Sequence, residues 1–139
     1  MPLEICDYPF VKTDAGRGQS RRPRQSNDCT VRSVALAFGL DYDVAYDLLA
    51  DAGRKCAKKF DFTTWADTAE VDGKRLSRRT FPAVKGERRM NPETFCATFK
   101  TGTYIVKTAK HVFVIKDGVA YDDHMELPWR CIYTAWEVR

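Results

Sequence analysis

HVFVIKDGVAYDD, residues 111–123, is two β-prone runs on either side of Asp117-Gly118. Asp-Gly tolerates positive φ at both central positions of a two-residue turn, the geometry that matches strand twist. The stretch therefore predicts a hairpin, with HVFVIK (111–116) returning as VAYDD (119–123). A two-residue turn also dictates register. Lys116 then faces Val119, Val114 faces Tyr121, and Phe113 faces Asp122. Side chains alternate along a strand, so His111, Phe113 and Ile115 share one face. Asp122 joins that face diagonally to His111, at about 7 Å between Cβ atoms. Asp123 falls on the other face, and His124 stands opposite His111.

More strand-like runs flank the hairpin. TYIVK (103–107) precedes it, and CIYTAWEV (131–138) follows a loop containing Pro128. Before these, NPETFCATFK (91–100) opens on Asn91 as a cap and Pro92 at the first helical position. Phe95 and Phe99 share its face, and Gly102 closes it.

Two further helices are expected upstream. Val31, Val34, Ala35 and Phe38 lie at helical spacing, with Asn27 or Asp28 as the cap and Gly39 as a left-handed stop. Asp41 can cap the next, whose stripe is Val44, Ala45, Leu48 and Leu49 and which ends at Gly53. The short link Gly39-Leu40-Asp41 makes them packing neighbours. Residues 1–24 read as mostly loop. Residues 54–90 read as an irregular basic excursion, a surface segment or flap, with one short helix capped by Thr63 or Thr64. Helices first and a mostly antiparallel sheet second give an α+β fold, N-terminal helices packed on a C-terminal sheet in a single domain, 1–139.

Composition narrows the function classes. The chain has 139 residues, 44% hydrophobic, 12% aromatic and 30% charged, which suits one globular domain. No apolar run approaches the ~20 residues of a membrane span, and MPLEICDYPF lacks the basic start and apolar stretch of a secretory signal. The five cysteines, Cys6, Cys29, Cys56, Cys96 and Cys131, are odd in number and widely spaced. They suggest neither a disulfide framework nor a zinc site. A reduced, cytoplasmic setting follows, without metal or cofactor, since no Gly-rich phosphate loop is present. The net charge of +4 gathers in RGQSRRPR (17–24) and in 74–89, either solvated loops or an acidic-partner surface such as one for nucleic acid. Trp65, Trp129 and Trp136, with Phe95 and Phe99, read as core or rim packing. Arg32 and Arg54 are expected to meet solvent, and Asp41, Asp43 and Asp47 to cap helices or sit on solvated faces.

Cys29 is the residue with chemistry to offer. At the first turn of a helix, unpaired N–H groups and the positive dipole end favour thiolate over thiol. The thiolate is a nucleophile, and the same N–H groups can receive an oxyanion. Asp28 opposes this unless its carboxylate is occupied. A base is available at His111, with His124 as the fallback, and Asp122 is placed to orient it. That is the composition of a Cys–His–acid site.

NDCTVRSVALAFGLDYDVAYDLL, followed about eighty residues later by GTYIVKTAKHVFVIKDGVAYDD, resembles small proteins of the papain-like cysteine peptidase superfamily. The likeness is nearest in style to the bacteriocin-processing branch and to small phage proteins, and it covers about half the chain, around 25–53 and 100–123. The resemblance implies a minimal papain-like fold, with Cys29 as nucleophile, His111 as general base and acid, and Asp122 as orienting group. It implies a protein or peptide substrate. The sequence departs from that pattern twice. The family's oxyanion glutamine lies about six residues before the nucleophile, where this chain has Pro23; Gln25 and Asn27 are the nearby candidates, with Gln19 farther back. Thr30 follows the nucleophile where that branch commonly has Gly.

Three functions are thus in view. The first is a cysteine hydrolase, peptidase or related acyl-transfer or deamidating enzyme. The second is a catalytically silent papain-like binding protein, such as a phage factor that occupies a protein in the host cytoplasm. The third is a basic nucleic-acid-binding protein acting through 17–24 and 74–89.

Overall fold

The computed structural model describes residues 8–56 and 58–139. Cys6 and most of the MPLEICDYPF segment lie outside the described residues. The chain order is β1 (Phe10–Lys12), a 3-10 turn (Arg17–Gln19), α1 (Cys29–Phe38), α2 (Tyr42–Asp51), α3 (Phe62–Thr68), β2 (Glu70–Val71), β3 (Lys74–Thr80), α4 (Pro92–Thr98), β4 (Thr103–Thr108), β5 (His111–Lys116), β6 (Val119–Asp122) and β7 (Thr134–Val138). The class is α+β. The strands form one sheet in the order β1-β6-β5-β4-β7-β3-β2. Every pairing is antiparallel except that of β1 with β6.

The hairpin has the expected register. Lys116 faces Val119 and Val114 faces Tyr121, and both turn residues, Asp117 (φ 50°) and Gly118 (φ 78°), take positive φ. Gly118 has a second reason to lack a side chain, since a Cβ there would meet the Cys96 carbonyl oxygen at 3.0 Å.

Alternation along the central strands divides the core in two. Ile105, Val112, Val114 and Trp136 face α1, α2 and α3, against Val31, Val34, Phe38, Ala45, Leu49 and Phe62. Val106, Phe113, Ile115 and Ala135 face the other way, against Phe95 and Cys96 of α4, Tyr8 and Ile132. The first cluster holds α1 against β5. Gly39 (φ 66°) ends α1 with its N–H on the Ala35 carbonyl, which lets the chain turn straight into α2.

Several expectations need correction. Residues 54–90 are not irregular throughout. They hold α3 and the β2–β3 hairpin, and β3 pairs with β7 over five residue pairs, from Leu76 opposite Val138 to Thr80 opposite Thr134. The pattern was hidden because only Leu76 of β3 is buried, while the other six residues are charged or hydroxylated and exposed. The α3 cap is Asp61, which accepts from the Thr64 N–H at 3.1 Å, rather than Thr63 or Thr64. Within 1–24, Phe10–Lys12 is a strand, because it can add to the open edge of β6. The last strand begins only at Thr134. Trp136 is fully buried, whereas Trp129 is 59% exposed.

Trp136 ties the early core cluster to the sheet, with its ring edge-on to Phe62 at 5.3 Å and its indole N–H on Asp67. Trp136→Ala is expected to lower stability by about 3–5 kcal/mol through the cavity it leaves. A urea titration against wild type measures this as a fall in midpoint at constant slope.

Candidate active site

Cys29 is the first residue of α1, and its side chain is partly buried against the early core cluster. His111 is the first residue of β5. Strand alternation puts His111 with Phe113 on the α4 side of the sheet, while Cys29 belongs to a helix on the opposite side. The two meet because β5 starts at His111, so the sheet ends there and no longer separates its faces. At that end the Cys29 sulfur lies beside the His111 ring and the backbone N–H of Val112, both of which lower its pKa. The other side of the imidazole is taken by Asp122, with Nε2 2.6 Å from Oδ2. The structure therefore brings the three expected residues together, with Cys29 beside the imidazole and Asp122 bonded to it. Asp122 occupies the diagonal position that the hairpin register assigns to it.

The electrostatics follow from this geometry. Burial alone would raise the Cys29 thiol, but the His111 hydrogen bond, the Val112 N–H and the charges of His111 and Arg32 outweigh it and pull the pKa below the ordinary thiol value. Burial alone would likewise discourage a charged imidazole. Hydrogen bonds to Asp122 and Cys29, with their negative charges, reverse that and push His111 up to about 10. Asp122 is held below the usual carboxylate range: burial opposes the charge, and His111, Arg32 and the Asp123 N–H overcome it. Both shifts favour the thiolate–imidazolium form of the pair over the neutral one. By contrast, burial pushes the Cys96 thiol up to about 12.

The residue most feared as a repulsive neighbour is neutralised. Asp28 occupies the N-cap position of α1 but makes no side-chain cap bond. It is 1% exposed, and its carboxylate accepts from Arg17 (3.0 and 3.1 Å), Arg32 (3.1 Å) and the Tyr42 hydroxyl (2.7 Å). The first-turn N–H groups of α1 are thus left without that cap. Arg32 and Arg54, expected in solvent, are both only 6% exposed. Helical spacing conceals this, because a charged residue on a buried face looks like a surface one until its partners are known. Arg32 bonds Asp122 as well as Asp28, and Arg54 donates to the Asn27 carbonyl at 3.0 Å.

The two oxyanion candidates sit on the loop before Cys29. Gln25 donates its side-chain amide to the Ser26 carbonyl and the Cys56 sulfur, both at 3.1 Å. Asn27 takes a left-handed backbone (φ 53°), which turns the chain into the helix. Asp43 and Asp47 hold Arg21 and Arg22.

His124 tilts against His111 with ring centroids 5.0 Å apart and binds Asp123 through Nδ1. His111, Asp122 and His124 place potential metal-ligating atoms within 4.8 Å of one another. Both Asp122 oxygens are already engaged by hydrogen bonds, Oδ2 by His111 and Oδ1 by Arg32 and the Asp123 N–H. An open pocket of about 640 Å³, lined by Lys12, Thr13, Asp14, Arg17 and Asp123, adjoins this end of the sheet. Among the described residues, Cys29, Cys56, Cys96 and Cys131 are free thiols, and no helix is long and apolar enough to cross a membrane.

No family model, curated protein or solved structure matches the chain.

Asp122 sets the charge state of the imidazole. In Asp122→Asn the ring loses its anionic partner, so its titration is expected to fall from about 10 toward the ordinary ~6.5. NMR of the two histidine rings across pH 5–11 reads this directly. In wild type His111 loses its proton only as pH rises through the upper value.

Proposed function

We propose that this chain is a papain-like cysteine hydrolase or acyl-transfer enzyme with Cys29 as nucleophile, His111 as general base and acid, and Asp122 as orienting group. The observation that carries this reading is the placing of the Cys29 sulfur beside a His111 ring that is itself hydrogen-bonded to the buried Asp122 carboxylate. A cysteine serving only as core filler has no need of an imidazole, still less of one fixed by an acid from a third element.

The proposed reaction needs only these groups. The thiolate attacks a carbonyl carbon and forms a C–S bond, moving the electron pair onto oxygen. The Cys29 backbone N–H receives that oxyanion, with a second donor from Gln25 or Asn27. The intermediate collapses as imidazolium gives its proton to the leaving group. His111, now neutral, takes a proton from water, and the resulting hydroxide attacks the acyl carbon to release acid and thiolate. An amine acceptor in place of water gives acyl transfer, and a side-chain amide substrate gives deamidation. Peptide or isopeptide bonds are the substrate class that the resemblance implies.

A second reading keeps the fold without the reaction, as a binding protein of the phage-factor kind. It is favoured by Pro23 at the glutamine position and by Gln25 bonding Ser26 and Cys56. Nucleic-acid binding has less support, since Arg17, Arg21, Arg22, Arg75 and Arg78 all face carboxylates within the chain.

Labelling with a thiol-directed electrophile decides between these readings. Cys29→Ala is expected to abolish the adduct at low reagent concentration. His111→Ala should slow labelling at pH 6 and reduce any acyl turnover on the order of 10²–10⁴-fold. Asp122→Asn should retain more turnover than Asp122→Ala, because an amide can still orient the ring. Equal labelling of wild type and His111→Ala would remove the enzyme reading and leave the binding protein.

A further inference from the structure

Arg32 lies three residues past Cys29 on α1 and turns inward, where its cation has little contact with water (6% exposed). Its Nε donates to Asp28 Oδ1 at 3.1 Å, and its Nη1 donates to Asp122 Oδ1 at 2.5 Å and lies 3.2 Å from Asp123 Oδ1. The carboxylate beside His111 is therefore gripped from two sides, one oxygen by the imidazole and the other by the guanidinium. Arg32 is gripped in turn, because Asp28 is closed off by Arg17 and the Tyr42 hydroxyl. Of these, Asp28, Asp122 and Tyr42 are each 2% exposed or less.

We infer that Arg32 is a positioning residue of the triad: it acts through Asp122, fixing that carboxylate's orientation and keeping it ionised, while Asp28, backed by Arg17 and Tyr42, holds Arg32 in place. The inference rests on the Cys29–His111–Asp122 reading and goes beyond it by assigning the residue that supports the acid. A guanidinium suits the task in two respects. It never releases its proton, so Asp122 keeps an ionised partner while His111 alternates between charged and neutral forms. Its planar fork also reaches two carboxylates through two different nitrogens, which a lysine ammonium on a flexible stem reproduces poorly. Support of this kind, from residues behind the reacting groups, is what holds a catalytic side chain in one geometry.

The charged groups around the sulfur are His111 from β5, Arg32 from α1, Asp122 at the end of β6, and Asp28, Asp123 and Arg17 behind them. Their signs predict opposite effects for two substitutions. Arg32→Gln removes a cation that favours the thiolate and loosens Asp122. Asp28→Asn removes an anion that opposes the thiolate and leaves Arg32 less neutralised.

The test is the pH profile of Cys29 alkylation by iodoacetamide on the full chain, read by peptide mass mapping from pH 4 to 10. Wild type should show its inflection well below ~8.5. Arg32→Gln should raise the inflection by about one unit and slow labelling at pH 6 about tenfold, and Arg32→Lys should recover part of the loss. Asp28→Asn should move the inflection down. Cys96, 4% exposed, reports folding in the same experiment, since it labels only when the core opens. If Arg32→Gln exposes Cys96, Arg32→Lys decides with Cys96 protected: an inflection raised above that of wild type supports the inference, and an unchanged or lowered one overturns it. A depressed wild-type inflection that ignores Arg32→Gln, with Cys96 protected, also overturns it while leaving the triad intact. An ordinary wild-type inflection that ignores His111→Ala removes the triad itself, and the inference with it.

Discussion

The arrangement at the end of the sheet depends on one shared carboxylate. Asp122 is 2% exposed and divides its two oxygens between the His111 ring and the Arg32 guanidinium. A carboxylate so buried is costly unless each lone-pair direction is answered, and replacing such a pair by apolar groups often leaves stability unchanged or improved. Stability is thus a weak reason for its presence. What the pairing supplies is direction: β6 is tied to β5 through His111 and to α1 through Arg32. The signs then alternate along the chain of contacts, from Arg17 to Asp28, Arg32, Asp122 and His111. Each of these buried charges has an opposite neighbour, and the Cys29 sulfur lies at the end of a neutralised series, where a thiolate is favoured.

The apolar core brings these groups together, and the charged series orients them. One cluster presses α1 on Ile105, Val112 and Val114, and the other presses α4 on Val106, Phe113 and Ile115. Cys29, His111 and Asp122 stand at the margin of both, with Cys29 packed against the first. They lie where the sheet stops, and only there can a side chain of the α4-side parity reach a helix on the opposite side.

Much of this was legible in the residues, and the reason differs from place to place. Asp117-Gly118 predicted a register because a two-residue turn leaves one pairing open, and that register selected Asp122 over Asp123. Asn91-Pro92 and Gly39 marked helix ends because backbone geometry at those points admits few residue types. The same logic was available at Asp72-Gly73, which also takes positive φ at both positions and joins β2 to β3. There it was obscured by KRLSRRT, a strand near the sheet edge whose single buried residue, Leu76, gives no period to read. β1 was hidden for a related reason, since three residues carry no periodicity and its place is set by the open edge of β6.

The buried arginines were illegible for a deeper reason. Helical spacing puts Arg32 on the same side of α1 as Asp28, but only the tertiary position of β6 converts that local pair into a bridge to Asp122. The same fact accounts for Asp28. Next to a thiol at a helix start, an aspartate is expected either to cap the helix or to repel a thiolate. Here it does not cap, because its oxygens are committed to Arg17, Arg32 and Tyr42. Its charge is spent on the cations it holds, and the first turn of α1 keeps its N–H groups free of that side chain. An acid beside Cys29 is thus compatible with a lowered thiol pKa when its charge is compensated from behind.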